Sequence, residues 1–106
     1  MSEYLMVFST FAGRTEAEAA AADLVDRRLV ACAQVSGPVL SVYRWQGNTE
    51  RSEETSLVLK TTRARYAEVE AALLKLHTYE TPEIVAVPIV AGHSSYLRWI
   101  DENVTP

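Results

Sequence analysis

VACAQVSGPVLSVYRWQGNTERSEETSLVLKTT, residues 30–62, is the stretch whose reading decides the fold. β-Branched and aromatic residues dominate 30–35, 39–45 and 55–62, and Gly37-Pro38 and Gly47-Asn48 separate these runs. The pattern predicts a long bent hairpin that turns at Gly47-Asn48. Pro38 cannot donate to a ladder, so Gly37-Pro38 is expected to mark a bulge or bend. Alternation places Val39, Ser41, Tyr43 and Trp45 on one face and Leu40, Val42 and Arg44 on the other. An arm with apolar residues on both faces has more to bury than one small helix pair can cover, which points to a neighbouring subunit.

Working outward toward the N-terminus, residues 4–9 form a short apolar run that stops at Ala12-Gly13 and reads as a first strand. Thr15 and Glu18 have the spacing of a capping box, and a helix is expected from there to about Arg28. Ala17, Ala20, Ala21, Leu24 and Arg28 share one side of it, and the small alanines allow its axis to approach a sheet closely. Toward the C-terminus, Thr62 is expected to cap a second helix bearing Tyr66, Val69, Leu73 and Leu76. That helix should stop near His77, because Thr81 precedes Pro82. Residues 84–91 read as an apolar strand, and Pro88 assigns it to an edge or a bulge. Ser94 or Ser95 is expected to cap a last short helix carrying Tyr96, Leu97, Trp99 and Ile100. The order implies an α+β, ferredoxin-like βαββαβ sandwich with an extended hairpin and a C-terminal helix, forming one domain over residues 1–106.

Composition limits the partners. The 106 residues are 48% hydrophobic and carry a net charge of −4, with no basic run, so nucleic acid is not an expected partner. No segment approaches the roughly 20 apolar residues of a membrane span, and the N-terminus lacks an export pattern. A soluble, cytoplasmic protein is therefore expected. Cys32 is the only cysteine, which excludes an intramolecular disulfide and suits a small core residue.

The chemistry gathers at the handover from the second helix to the last strand, where His77, Tyr79, Glu80 and Glu83 lie within a few residues. Two roles stand open. His77 can satisfy the last helical carbonyls while Glu80 accepts from turn amides. Alternatively, His77 and Glu80 can offer nitrogen and oxygen to a divalent metal, a weak site unless another subunit completes it. Tyr43 and Trp45 read as interface residues, and Lys60 either snorkels or faces an anionic group in a cleft. Glu53-Glu54 reads as a solvated pair guarding an edge, and His93 as an exposed polar residue. No nucleophile with an adjacent base emerges, so an enzyme is not expected.

The ordered motifs resemble the CutA family, the divalent-cation tolerance proteins, over nearly the whole chain. Arg28-Leu29-Val30-Ala31-Cys32 is similar to one family segment. Ser41-Val42-Tyr43-Arg44-Trp45-Gln46-Gly47 is similar to the family hairpin, followed by Glu54 and Leu59-Lys60-Thr61-Thr62. The segment from His77 to Ile84 resembles the His-Pro-Tyr-Glu turn and Pro-Glu-Ile strand entry, and Tyr96-Leu97-Arg98-Trp99-Ile100 the final helix. The resemblance implies a homotrimer with a role in tolerance of copper and other divalent cations. It also implies a cleft between subunits lined by Tyr43, Trp45, Lys60, His77, Tyr79 and Glu80, with Glu83 beside them. Ser9 and Leu76 replace a cysteine and a second histidine proposed as copper ligands in other members, Thr78 replaces the turn proline, and residues 11–14 lack the usual loop proline. No cofactor is obligatory on this reading; weak copper or zinc binding through His77 and Glu80 is the expectation. A trimeric regulatory module holding a small metabolite between subunits is the alternative.

Overall fold

Period-two burial along the first strand organises the molecule, which a computed structural model describes over residues 3–106. In β1 (Tyr4–Phe11), Leu5, Val7, Ser9 and Phe11 are buried, while the intervening side chains are half-buried on the opposite face. The remaining elements are α1 (Arg14–Asp26), β2 (Cys32–Trp45), β3 (Asn48–Thr62), α2 (Tyr66–Leu76), β4 (Ile84–Pro88) and α3 (Ser94–Asn103). All strand pairs are antiparallel, in the order β2-β3-β1-β4. Both central strands therefore present full faces to the helices. Val7 and Phe11 of β1 and Leu57 and Leu59 of β3 pack with Ala17, Ala20 and Leu24 of α1 and Val69, Ala72 and Leu73 of α2. A smaller cluster joins Ala31, Ile100 and Val104, with Tyr4 and Leu97 against it, and seats α3. The α+β class and the expected element order are both present.

Local chemistry moves several boundaries. The first strand runs to Phe11, beyond the expected stop, because Thr10 and Phe11 pair with Ser56 and Thr55. The capping box does not form: α1 begins at Arg14 with Gly13 as its cap, and the Glu18 carboxylate instead takes the Arg14 guanidinium at 2.8 Å. The hairpin turn is Gln46-Gly47, not Gly47-Asn48. Both residues have positive φ (49° and 83°), as the tight twist-matched hairpin turn requires. β3 accordingly starts at Asn48, well before the expected 55, and carries the ladder through Glu53 and Glu54. Gly37-Pro38 is cis, and the register slips between Ser36 and Val39, giving the expected irregularity. Thr62 makes no side-chain cap; a 3-10 turn, Arg63–Arg65, leads into α2. β4 ends at Pro88 rather than 91 and is an edge strand, and neither serine caps α3, whose cap position is His93.

The subunit is elongated, with extents of 44 × 26 × 22 Å and a radius of gyration of 14.3 Å, against about 13 Å for a compact chain of this length. Its surface of 6431 Å² likewise exceeds the roughly 5,900 Å² of a monomer of this mass. Large apolar side chains are among the exposed residues. Leu40 and Val42 on the hairpin are 57% and 55% exposed. On the sheet face opposite α1 and α2, Val85 and Val87 lie open beside half-buried Phe8 and Met6, with which they pair. Among the described residues, no helix is long and apolar enough to cross a membrane.

Candidate functional site

Where α2 ends, the backbone of His77 turns extended (φ −83°, ψ 145°) and its ring lies flat on Phe11, centroids 4.2 Å apart and planes 13° apart. The stack orients the imidazole, and its hydrogen bonds assign the tautomer. Nε2 lies 2.7 Å from the Thr10 carbonyl oxygen, which can only accept, so Nε2 carries the proton. Nδ1 in turn accepts from the Tyr79 amide at 3.4 Å. The Tyr79 ring also contacts the imidazole, centroids 4.8 Å apart and planes tilted by 38°. His77 thus ties α2 and the following turn to the end of β1, its side chain bonding a strand carbonyl where the last helical carbonyls were expected.

Tyr79 carries the chain of contacts into a cleft. Its hydroxyl donates to Glu54 Oε2 at 2.7 Å, and Glu54 is only 9% exposed. The phenol's pKa is driven well above its usual value, first by burial, then by the hydrogen bond to Glu54 and the charge of that carboxylate, with smaller contributions from Tyr43 and Glu16. Tyr79 therefore stays a protonated donor. The cleft, about 900 Å³, opens between the hairpin and the turn joining α2 to β4. Tyr43 and Trp45 line it from the hairpin, where the Tyr43 hydroxyl accepts from Ser52 at 3.3 Å; Tyr79, Glu80 and Glu83 line it from the turn. Its carboxylate lining comprises Glu53, Glu54, Glu80 and Glu83, against the single guanidinium of Arg44.

Five of the residues expected at a site, Tyr43, Trp45, Tyr79, Glu80 and Glu83, therefore share one cleft. Lys60 does not line it. It lies six residues along β3 from Glu54, about 20 Å away, where it donates to Gln34 Oε1 at 3.0 Å and sits 5.9 Å from the Tyr96 ring centroid. His77 stands behind the wall with both ring nitrogens engaged. Among the described residues, no three His, Cys, Asp or Glu side chains come together as a metal site. With Nε2 donating to Thr10, His77 has only Nδ1, 3.4 Å from the Tyr79 amide, to offer a metal beside Glu80. Cys32 is half-buried on β2 opposite Lys60, less enclosed than a core residue.

Glu54 was the residue missed. Beside Glu53 it reads as a solvated acid, but β3 extends past it and Tyr79 arrives from a distant turn to cover it. A strand starting at residue 48 would have been the signal, since alternation then separates Glu53 from Glu54.

Known proteins share both sequence and architecture with this chain. The family profile described as CutA1 divalent ion tolerance protein matches residues 5–103. The divalent-cation tolerance protein CutA of Thermus thermophilus is 38% identical over 98 residues, covering 92% of this chain and 95% of the relative. CutA1 from the psychrotrophic Shewanella sp. SIB1 superimposes with a TM-score of 0.96 at 34% identity, covering 99% of this chain and 98% of that one. The Archaeoglobus fulgidus structure, described as a periplasmic divalent cation tolerance protein CutA, gives 0.93 at 34% identity, covering 96% and 99% respectively. With the profile spanning all three α-helices, the hairpin and the cleft, the chain belongs to the CutA1 divalent ion tolerance protein family.

Proposed function

We propose that this protein is a non-enzymatic divalent-cation tolerance protein that works as a homotrimer of ferredoxin-like subunits, with the cleft as its ligand-binding feature. One observation carries the reading: the hairpin and the open sheet face leave Leu40, Val42, Val85 and Val87 exposed, apolar side chains that a neighbouring subunit would cover. Three heterologous contacts related by a threefold axis close on themselves and bury all three arms. The family relationship supports the cation role, since the relatives are described as divalent-cation tolerance proteins.

A catalytic role finds no support in the cleft. The nearest imidazole spends its proton on the Thr10 carbonyl, and the Tyr79 phenol is held protonated. Nor does the geometry favour an anionic metabolite, because Lys60 lies far along β3 and carboxylates dominate the lining. The lone thiol of Cys32 suits a reducing compartment, and we assign the protein to the cytoplasm on that ground. Light scattering at micromolar dilution tests the assembly: a particle of three times 11.8 kDa is expected, and a folded monomer overturns it.

A further inference from the structure

We propose that α3 is a lid on the second face of the sheet, one that opens as a unit while the main core stays folded, and that Arg28 and Arg65 form the latch that holds it shut. Alternation along the central strands turns Leu5, Val7, Leu57 and Leu59 to the side of α1 and α2, so Tyr4 and Lys60 point to the opposite face. Both meet α3 there. The Tyr4 hydroxyl donates to Asp101 Oδ2 at 2.5 Å, and Lys60 Nζ lies 5.9 Å from the centre of the Tyr96 ring. The helix takes no part in the core that joins α1, α2 and the sheet. Its one fully buried side chain, Ile100, packs instead in the separate small cluster with Ala31 and Val104. Residues 89–93, which lead into α3, belong to neither helix nor strand and supply a hinge. An element with so little apolar contact to the main core opens at a lower free energy than the whole molecule.

The latch lies at the far end of the helix from the hinge. Arg28 follows α1 with a φ of 59°, and the amides of Arg28 and Leu29 return to the carbonyls of Val25 and Leu24, the pair of bonds that usually closes a helix over a glycine. An arginine in that left-handed position brings what glycine cannot: its guanidinium donates to the Glu102 carbonyl at 2.7 Å. Its own carbonyl accepts from the Thr105 amide at 2.9 Å. Arg65, in the turn before α2, donates through Nε to the Thr105 carbonyl at 2.6 Å. Three bonds thus tie residues 102–105 to the ends of the two core helices, with Val104 buried between them.

Amide hydrogen exchange of the protein as purified, read peptide by peptide by mass spectrometry, tests the proposal. In the unaltered protein α3 is expected to exchange faster than α1. Arg28→Gly keeps the left-handed cap of α1 but deletes the guanidinium, and Arg65→Met deletes the second donor. Each variant should speed exchange across residues 94–105 about tenfold while leaving α1 as it was. Glu68→Gln breaks the ion pair of Arg65 with Glu68 but spares the bond to Thr105, and should exchange as the unaltered protein does. That control separates the latch from the surface pair beside it. An α3 that exchanges as slowly as α1, or that ignores both arginine variants, overturns the proposal. So does an acceleration spread equally over all three helices, which would show that the molecule opens only as a whole.

Discussion

Glu54 and Tyr79 hold each other in place, because each would be a costly polar group without the other. The carboxylate is nearly enclosed, and hydrogen bonds to charged groups contribute about 1.5–3 kcal/mol. Tyr79→Phe should therefore destabilise the fold by about that amount at neutral pH. The effect should also depend on pH. The folded phenol holds its proton more tightly than the unfolded one, so its stabilisation is complete below roughly pH 10 and fades as pH rises toward the folded-state value. Melting temperatures of the two proteins from pH 7 to 11 should lie furthest apart at neutrality and draw together above about pH 10; a constant gap would dismiss the assignment. The neighbouring imidazole makes a second prediction. Since Nε2 donates to Thr10, titration with copper or zinc should give the same heats for His77→Ala as for the unaltered protein, and a lost heat would restore His77 as a ligand. Residues 77–83 announce a site in the sequence by their composition alone. Their roles are not legible there, because the groups that set them, Thr10, Phe11 and Glu54, reach the turn only through the tertiary fold.

At the scale of elements, the sequence is most legible where periodicity is long and least where one residue sets a boundary. Ala17, Ala20 and Leu24 are buried as their spacing requires, and α2 buries Val69 and Leu73 and stops just before His77. Caps and turns depend on single hydrogen bonds, and here nearby alternatives win. Arg14 captures the Glu18 carboxylate that a capping box needs, and the two-residue turn shifts to Gln46-Gly47, where positive φ at both positions matches the twist of the arm. That turn is open to test. Space around Gly47 is free, since a Cβ there would meet nothing within 4 Å, so the cost of a side chain is conformational alone. Gly47→Ala should lower stability by about 1 kcal/mol, and Gln46→Asn should raise it by a few tenths, since asparagine tolerates the left-handed region. Chemical denaturation of both variants reads the two signs. Stabilisation by Gly47→Ala would show that the turn relaxes into another type.

For the whole molecule, both outer strands matter. β2 and β4 form the edges of the sheet, and an edge beside exposed apolar side chains is a template for pairing unless something covers it. The bulge at Ser36/Val39 and Pro88 interrupt the edges locally, yet Leu40 and Val42 remain open on the longest arm. The double variant Leu40→Asp/Val42→Asp places two charges on that arm without touching the core packed around Val7 and Leu73. If the trimer forms through the arms, the variant should scatter light as a particle of 11.8 kDa while keeping the circular dichroism of an α+β fold. The unaltered protein should also melt at a temperature that rises with concentration, because assembly stabilises by mass action, whereas the variant should melt at one temperature throughout. A variant that keeps the mass of three subunits would move the interface off the arm and onto the sheet face of Val85 and Val87. Retained mass after a further Val85→Asp/Val87→Asp change would remove the argument from exposed apolar surface altogether.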